Sequence, residues 1–289
     1  MPARDTSTFD TPGPISATTR VEAGSLQFTA TDRTDTVVTV EPRNTKKELD
    51  VRAAEQTEVS FANGVLNVRT PKPNLLGLSI GRVGTVDVTV ELPAGSRVDM
   101  AGAWTQMLAE GRLGEVRVKT SSGDVRLDET GPLNLTASHG SITVDRVAGR
   151  AEVTTSSGSV RLGHVDGPAV VKNSHGTTTV GTVTGELHVR NAVGDIDVTR
   201  AEDSVTAATA HGTLRIAEVV RGTVQLETSH GAIEVGVRDG TATWLDVDAG
   251  AGQVRNALAS AEPPEQTEET VKVRARTKYG NITVRRAKA

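Results

Sequence analysis

Between Gly114 and Val235 a glycine returns almost every nine residues: Gly114, Gly123, Gly131, Gly140, Gly149, Gly158, Gly167, Gly176, Gly185, Gly194, Gly212, Gly222 and Gly231. Asp203 stands where one more is due. A fixed period of this kind marks a repeat architecture and constrains the fold before any other reading. After each glycine the chain runs polar, apolar, variable, apolar, as in Gly140-Ser-Ile-Thr-Val and Gly222-Thr-Val-Gln-Leu. Side chains alternate across a strand, so the second and fourth positions after glycine face one way and the third faces the other. Inward slots then hold pairs such as Val116/Val118, Ile142/Val144, Ile196/Val198 and Ile233/Val235, while Arg117, Thr143, Asp197 and Glu234 face water. Thr178 occupies an inward slot, where its hydroxyl needs a partner.

The units alternate. Ser-Ser-Gly or Ser-His-Gly precedes every second one, at Gly123, Gly140, Gly158, Gly176 and Gly231, so the full period is about eighteen. An antiparallel meander of these strands would leave one apolar face that nothing else in the chain is large enough to cover. A coil with two nonapeptides per turn buries that face by itself, between its own two parallel sheets. The seventh position after glycine agrees: it is Ser or Ala at one corner (Ser121, Ser138, Ser156, Ser174, Ala192, Ala210, Ser229) and Val at the other (Val147, Val165, Val183, Val219). The expected fold is all-β, a single-stranded parallel β-helix (β-solenoid) with about 18 residues per turn, right-handed by the preference of parallel crossovers. One turn buries about four aliphatic side chains at roughly 1.5–3 kcal/mol each, against an ordering cost of about 1–2 kcal/mol per residue. Stability must therefore accrue between stacked neighbours.

Residues 1–14 carry three prolines among Thr, Ser and Asp and read as a mobile leader. A β-rich N-terminal module is expected over 15–95. It contains the alternating Ser25-Leu-Gln-Phe, the β-branched run Thr36-Val-Val-Thr-Val and a hairpin turning at Asn63-Gly64. Asn44 to Gln56 is its one place for a short helix, and Pro71 to Gly84 reads as a loop exposing Leu75, Leu76, Leu78 and Ile80. The solenoid follows over 96–256, with Ser96–Gly111 and its Trp104 as an irregular first unit covering the open end. An acidic insertion spans 257–270, and 271–289, ending on Gly280-Asn-Ile-Thr-Val, is expected to be the closing turn.

Function classes narrow by composition. A net charge of −4 leaves no basic footprint for nucleic acid, and no nucleic-acid partner is expected. There are no cysteines, hence no disulfides and no thiolate chemistry. The polar Met1–Asp10 stretch lacks the apolar core of a signal peptide, and no segment approaches the roughly 20 apolar residues of a membrane span. As written the chain is expected to be cytoplasmic, or exported if a leader has been trimmed from it.

The run Val90-Glu-Leu-Pro-Ala-Gly-Ser-Arg-Val, the recurring Ser-Ser-Gly-Asp-Val-Arg-Leu unit and the closing Tyr279-Gly-Asn-Ile-Thr-Val-Arg-Arg resemble a bacterial family of β-strand-repeat "putative adhesin" domains of unknown function. The resemblance covers residues 25–287. It implies an adhesin-like repeat domain and brings no catalytic residues, cofactor or metal to this chain.

Site candidates are few. His139, His175, His211 and His230 each precede a turn glycine, the first three 36 residues apart, or about 9–10 Å for strands stacked about 4.8 Å apart. That is too far to share a metal ion; His211 and His230 lie on adjacent turns. Exposed turn positions that tolerate histidine, as they tolerate Ser122 and Ser157, account for all four, with a metal or pH-sensing ladder as the functional reading. Asp124 and Asp195 follow turn glycines, too few for a calcium-repeat array. Asp128, Glu129, Asp145 and Asp166 lie in loops opposite the Ser-His turns, where clustering would signal a carbohydrate-active enzyme. Lys272, Arg274, Arg276 and Lys278 share one strand face, either an anion stripe or charges protecting an open edge. The expectation is a non-catalytic scaffold or binding module without cofactor, presenting flat repeat faces to an unidentified partner protein or polymer. The alternatives are a self-assembling solenoid and a carbohydrate-active β-helix enzyme.

Overall fold

The computed structural model describes residues 5–71, 83–258 and 269–287. The chain divides into two compact units, Met1–Val144 and Asp145–Ala289. Apart from the helix Glu48–Glu55, the regular elements described in both units are β-strands, stacked in parallel as a solenoid-like coil, with an N-terminal β module in the first unit that adds antiparallel strands. The predicted loop with Leu75, Leu76, Leu78 and Ile80, and most of the acidic insertion, lie outside the described residues.

In the second unit the eighteen-residue period appears directly as register. Ala151 pairs with Ala169, Ala169 with Leu187, and Leu187 with Val205, each in parallel strands. On the facing sheet Val160, Thr178, Ile196, Leu214 and Ile233 follow one another rung by rung. These inward positions are at most 1% exposed, so the core is the gap between two columns of aliphatic side chains. Thr178 resolves its inward hydroxyl on the Asn191 side-chain oxygen at 3.1 Å.

Two features explain the periodic glycine. Its φ at this corner is positive, +132° at Gly194 and +152° at Gly212, and a Cβ on Gly194 would stand 2.2 Å from the carbonyl oxygen of Gly176 in the adjacent rung. Only a residue without a side chain lets successive turns approach this closely. Just before this glycine, an inward polar column ties the corner together. Asn173 Nδ2 donates to the Gly158 carbonyl at 3.0 Å, Asn191 Nδ2 to Gly176 at 3.1 Å, and the Thr228 and Thr277 hydroxyls to Gly212 and Gly231 at 3.2 and 3.0 Å.

The first unit uses the same parallel stacking with a different chain order. Strands Ser16–Arg20 and Ala23–Thr31 form a rung of their own. They pair in parallel with Arg97–Arg112 on one side and with Val65–Arg69 and Val86–Pro93 on the other. Arg97–Arg112 also pairs with Val116–Ser122 and Val125–Thr130, so it has neighbours on both sides and does not cover an end. The outermost parallel rung, Val65–Arg69 with Val86–Pro93, is closed by antiparallel strands. Glu58–Ala62 joins Val65–Arg69 through a turn with positive φ at Asn63 and Gly64, and Asp35–Pro42 joins Val86–Pro93. The segment read as a mobile leader instead forms strand Asp5–Asp10, antiparallel to Asp35–Pro42, and Thr11 shares a buried 2.9 Å hydrogen bond with Thr36.

The second unit also departs from chain order. Thr270–Tyr279 pairs with Gly222–His230 on one side and with Ala242–Ala251 on the other, and Ile282–Arg286 lies likewise between Ile233–Val237 and Val254–Asn256. The stretch expected to close the coil is therefore its penultimate turn. The outer rung is Ala242–Ala251 with Val254–Asn256.

Candidate functional site: a ring column at one corner

The residue before each turn glycine points outward. Parallel register aligns these residues in the second unit as Ser157, His175, Val193, His211, His230, Tyr279 and Ala251. Three of them stack face to face. The His211 and His230 rings lie 4.8 Å apart at 5°, and the His230 and Tyr279 rings 4.9 Å apart at 15°. The spacing is that of the strands themselves, so the backbone ladder sets the stack. All three rings are exposed, and Val193 beside them is 43% exposed. His175 is separated from His211 by Val193. In the first unit His139 pairs with Ser122, and Ser122 with Trp104, which is 61% exposed at the corner.

Stacked in parallel, the imidazoles present faces to one another rather than nitrogens. Among the described residues no group of three or more His, Asp or Glu is placed to hold a metal ion. Asp124 and Asp195 act in the turns: each accepts the backbone N–H of the next rung, from Ser141 at 2.8 Å and Thr213 at 2.7 Å. Beside Tyr279 a shallow groove of about 450 Å³ is lined by Glu227, Asp248, Gly250, Arg276 and Lys278.

The basic stripe does not lie on an open edge. Its strand is internal, and Arg274 and Arg276 both bond Asp246 of the outer strand, at 3.1 and 2.5 Å. Arg276 first, then Arg274, holds the Asp246 carboxyl below the usual carboxylate range. Edge protection therefore does not explain these charges; they tie the outer rung to the rung beneath it. Lys272 stands in register with Trp244, and Lys278 lines the groove beside Tyr279.

Two of the loop carboxylates, Asp128 and Asp166, are engaged with donors. Asp128 accepts the Gly111 N–H at 3.1 Å, and Asp166 binds the Arg146 guanidinium and His164 Nε2, the latter at 2.6 Å. The sequence reading missed His164, and it missed Tyr279, whose place in the column depends on a register that skips residues 231–269.

A sequence model described as Toastrack DUF4097 matches residues 15–287. The chain belongs to the Toastrack DUF4097 family. Curated proteins offer this Toastrack chain no match. Solved structures similar to it include a "putative adhesin" from Parabacteroides merdae, 14% identical, covering 80% of this chain and 95% of that one at a TM-score of 0.48. A "putative adhesin" from Bacteroides fragilis is 12% identical over 98% and 97% of the two chains, at a TM-score of 0.33. A "putative lipid binding protein" from Parabacteroides distasonis is 11% identical over 99% and 97%, at 0.29. No helix among the described residues of this Toastrack chain is long and apolar enough to cross a membrane.

Proposed function

We propose that this chain is a non-catalytic binding module that engages a partner protein or polymer through the ring-bearing corner and the flat sheet faces beside it. The exposed column Val193, His211, His230 and Tyr279 carries the reading. Ser122 and Ser157 fill the same turn position in other rungs, so the fold itself needs no ring there. Aromatic side chains held in one orientation lose little entropy on binding and bury a large contact area, which is why they anchor interfaces. The strand ladder supplies that orientation in advance.

The test replaces the column with the residue its neighbours already use. The triple variant His211→Ser, His230→Ser, Tyr279→Ser is expected to keep the wild-type melting temperature within a few degrees. Its cosedimentation with isolated bacterial cell walls, or its retention of lysate proteins on an affinity column, is expected to fall at least tenfold in whichever assay the wild type is positive. Equal retention by variant and wild type, or no retention by the wild type in either assay, overturns the reading.

A further inference from the structure

Among the described residues, nothing stacks on the outer side of the second unit's outer rung. Leu245 stacks on Val273 and Val247 on Ala275, yet Val273 and Ala275 are fully buried while Leu245 and Val247 are only half-buried. On the facing strand Val254 sits over the fully buried Ile282 and is 45% exposed. Trp244 is 61% exposed and borders an open groove of about 370 Å³ with Thr243, Val271 and Lys272. Among the described residues strand Ala242–Ala251 pairs only with Thr270–Tyr279, so the N–H and C=O groups of its outer edge have no strand partner. It carries no lysine and no proline to blunt that edge.

We infer that this rung docks, through an antiparallel Ala242–Ala251 pair, on the same rung of a second copy of the chain. The surface has the geometry of a coil cross-section, two short strands with apolar side chains facing the gap between them, and another rung matches it in strand spacing and alternation. The corresponding rung of the first unit is already flanked by antiparallel strands. The mate inferred is the same surface of another molecule, because a two-fold contact between identical edges closes at a dimer. Charge narrows the register. Centring the pair on Leu245 places Trp244 opposite Asp246 and Thr243 opposite Val247. Centring it on Asp246 would set that carboxylate against its own copy, and centring it on Val247 would set Asp246 against Asp248, both destabilising. Ten residues at about 3.3 Å each, across a coil about 10 Å thick, give a footprint of roughly 330 Å² per copy. That is below the roughly 800 Å² per partner of stable complexes, so the dimer is weak and reversible. The inference does not depend on the binding role proposed for the ring column.

Sedimentation velocity of the full chain from low-micromolar to sub-millimolar concentration is expected to show a monomer–dimer equilibrium. Leu245→Lys is expected to weaken dimerisation at least tenfold, and Trp244→Ala, at a site too exposed to endanger folding, several-fold. Tyr279→Ser leaves it unchanged. Because the chain has no cysteine, Leu245→Cys introduces a single thiol at the two-fold axis. Directly opposed residues in an antiparallel pair lie about 4.5–5.5 Å apart between Cα atoms, within disulfide reach, so mild oxidation is expected to yield a covalent dimer. Ala249→Cys, displaced from its counterpart by eight residues or about 27 Å, is expected not to crosslink. A monomer at every concentration, growth beyond dimer, or equal crosslinking by the two thiol variants overturns the inference.

Discussion

The outermost parallel rungs of the two units are made of the same material and finished differently. In the first unit, Leu66, Val68, Val86, Val88, Val90 and Leu92 are at most 1% exposed, because antiparallel strands continue the sheets. Arg33 strengthens that finish by bonding Asp35 and Glu91, and it holds the Asp35 carboxyl below the usual carboxylate range. In the second unit the matching positions, Leu245, Val247 and Val254, have a strand neighbour on one side only among the described residues. A parallel ladder stabilises each rung through two neighbours and so leaves its last rung with half that support. The contrast teaches that the repeats set stability while the terminal rungs set what else the chain meets.

The largest expected effect separates an interior turn from the outer one with the same substitution. Gly194→Ala must place a Cβ 2.2 Å from the Gly176 carbonyl oxygen at φ +132°. The loss is expected to exceed about 3 kcal/mol, since backbone strain adds to a contact that neither rung can relieve alone. Gly240→Ala, in the turn leading to the outer strand, meets nothing within 4 Å at φ +76° and is expected to cost only about 1 kcal/mol. Urea melts of the two variants check this; equal losses would mean that the outer turn is as tightly held as the interior.

That difference also explains how much could be read from the sequence. The interior was legible because turn glycines such as Gly123, Gly140, Gly176, Gly194, Gly212 and Gly231 are imposed by the carbonyl of the rung next to them, so period, register and the inward Val, Leu and Ile columns all repeat in the chain. The hairpin at Asn63-Gly64 and the helix Glu48–Glu55 were legible from local turn chemistry and composition. The ends were not, because stacking order there departs from chain order. Thr270–Tyr279 looks like a charged edge strand until Asp246, 28 residues before Arg274, is seen to pair with it. Strand Asp5–Asp10 has no apolar alternation to announce it and is held by its antiparallel partner. At the site, the four histidine positions could be read one by one. Which of them touch depended on Val193 interrupting one pair and on Tyr279 arriving from a distant segment.

A middle-sized effect concerns how the outer rung is attached. Asp246 has its pKa lowered mainly by Arg276, so its ionised form is favoured in the folded chain. A lowered folded-state value contributes stability above the unfolded pKa of about 3.9, and that contribution is lost as pH falls through the folded value. Acidification below about pH 4 is therefore expected to release Ala242–Ala251 ahead of Gly222–His230, visible as earlier amide exchange in the outer strand. Asp246→Asn should show the faster exchange already at neutral pH. Simultaneous release of the two strands would mean that the ion pair does not attach the rung.

The smallest effect has the opposite sign and lies in the interior. Asp197, on the strand between Thr178–Val183 and Leu214–Val219, has its pKa raised, first by burial and then by the neighbouring charge of Asp195; Arg215 opposes the shift and Glu234 adds to it. A carboxyl whose folded value is raised favours folding most when protonated. Its contribution is fully present below the unfolded pKa of about 3.9 and is lost as pH rises through the folded value. At neutral pH the ionised side chain therefore opposes the fold. Asp197→Asn is expected to stabilise the chain at pH 7 by no more than about 0.5 kcal/mol, because solvent still reaches and screens this half-buried group. It should change nothing below about pH 3.5, where the wild type is itself protonated. Thermal melts at the two pH values distinguish this from a packing effect, which would appear equally at both. The two aspartates thus titrate against each other: acid loosens the outer rung through Asp246 while relieving the interior through Asp197.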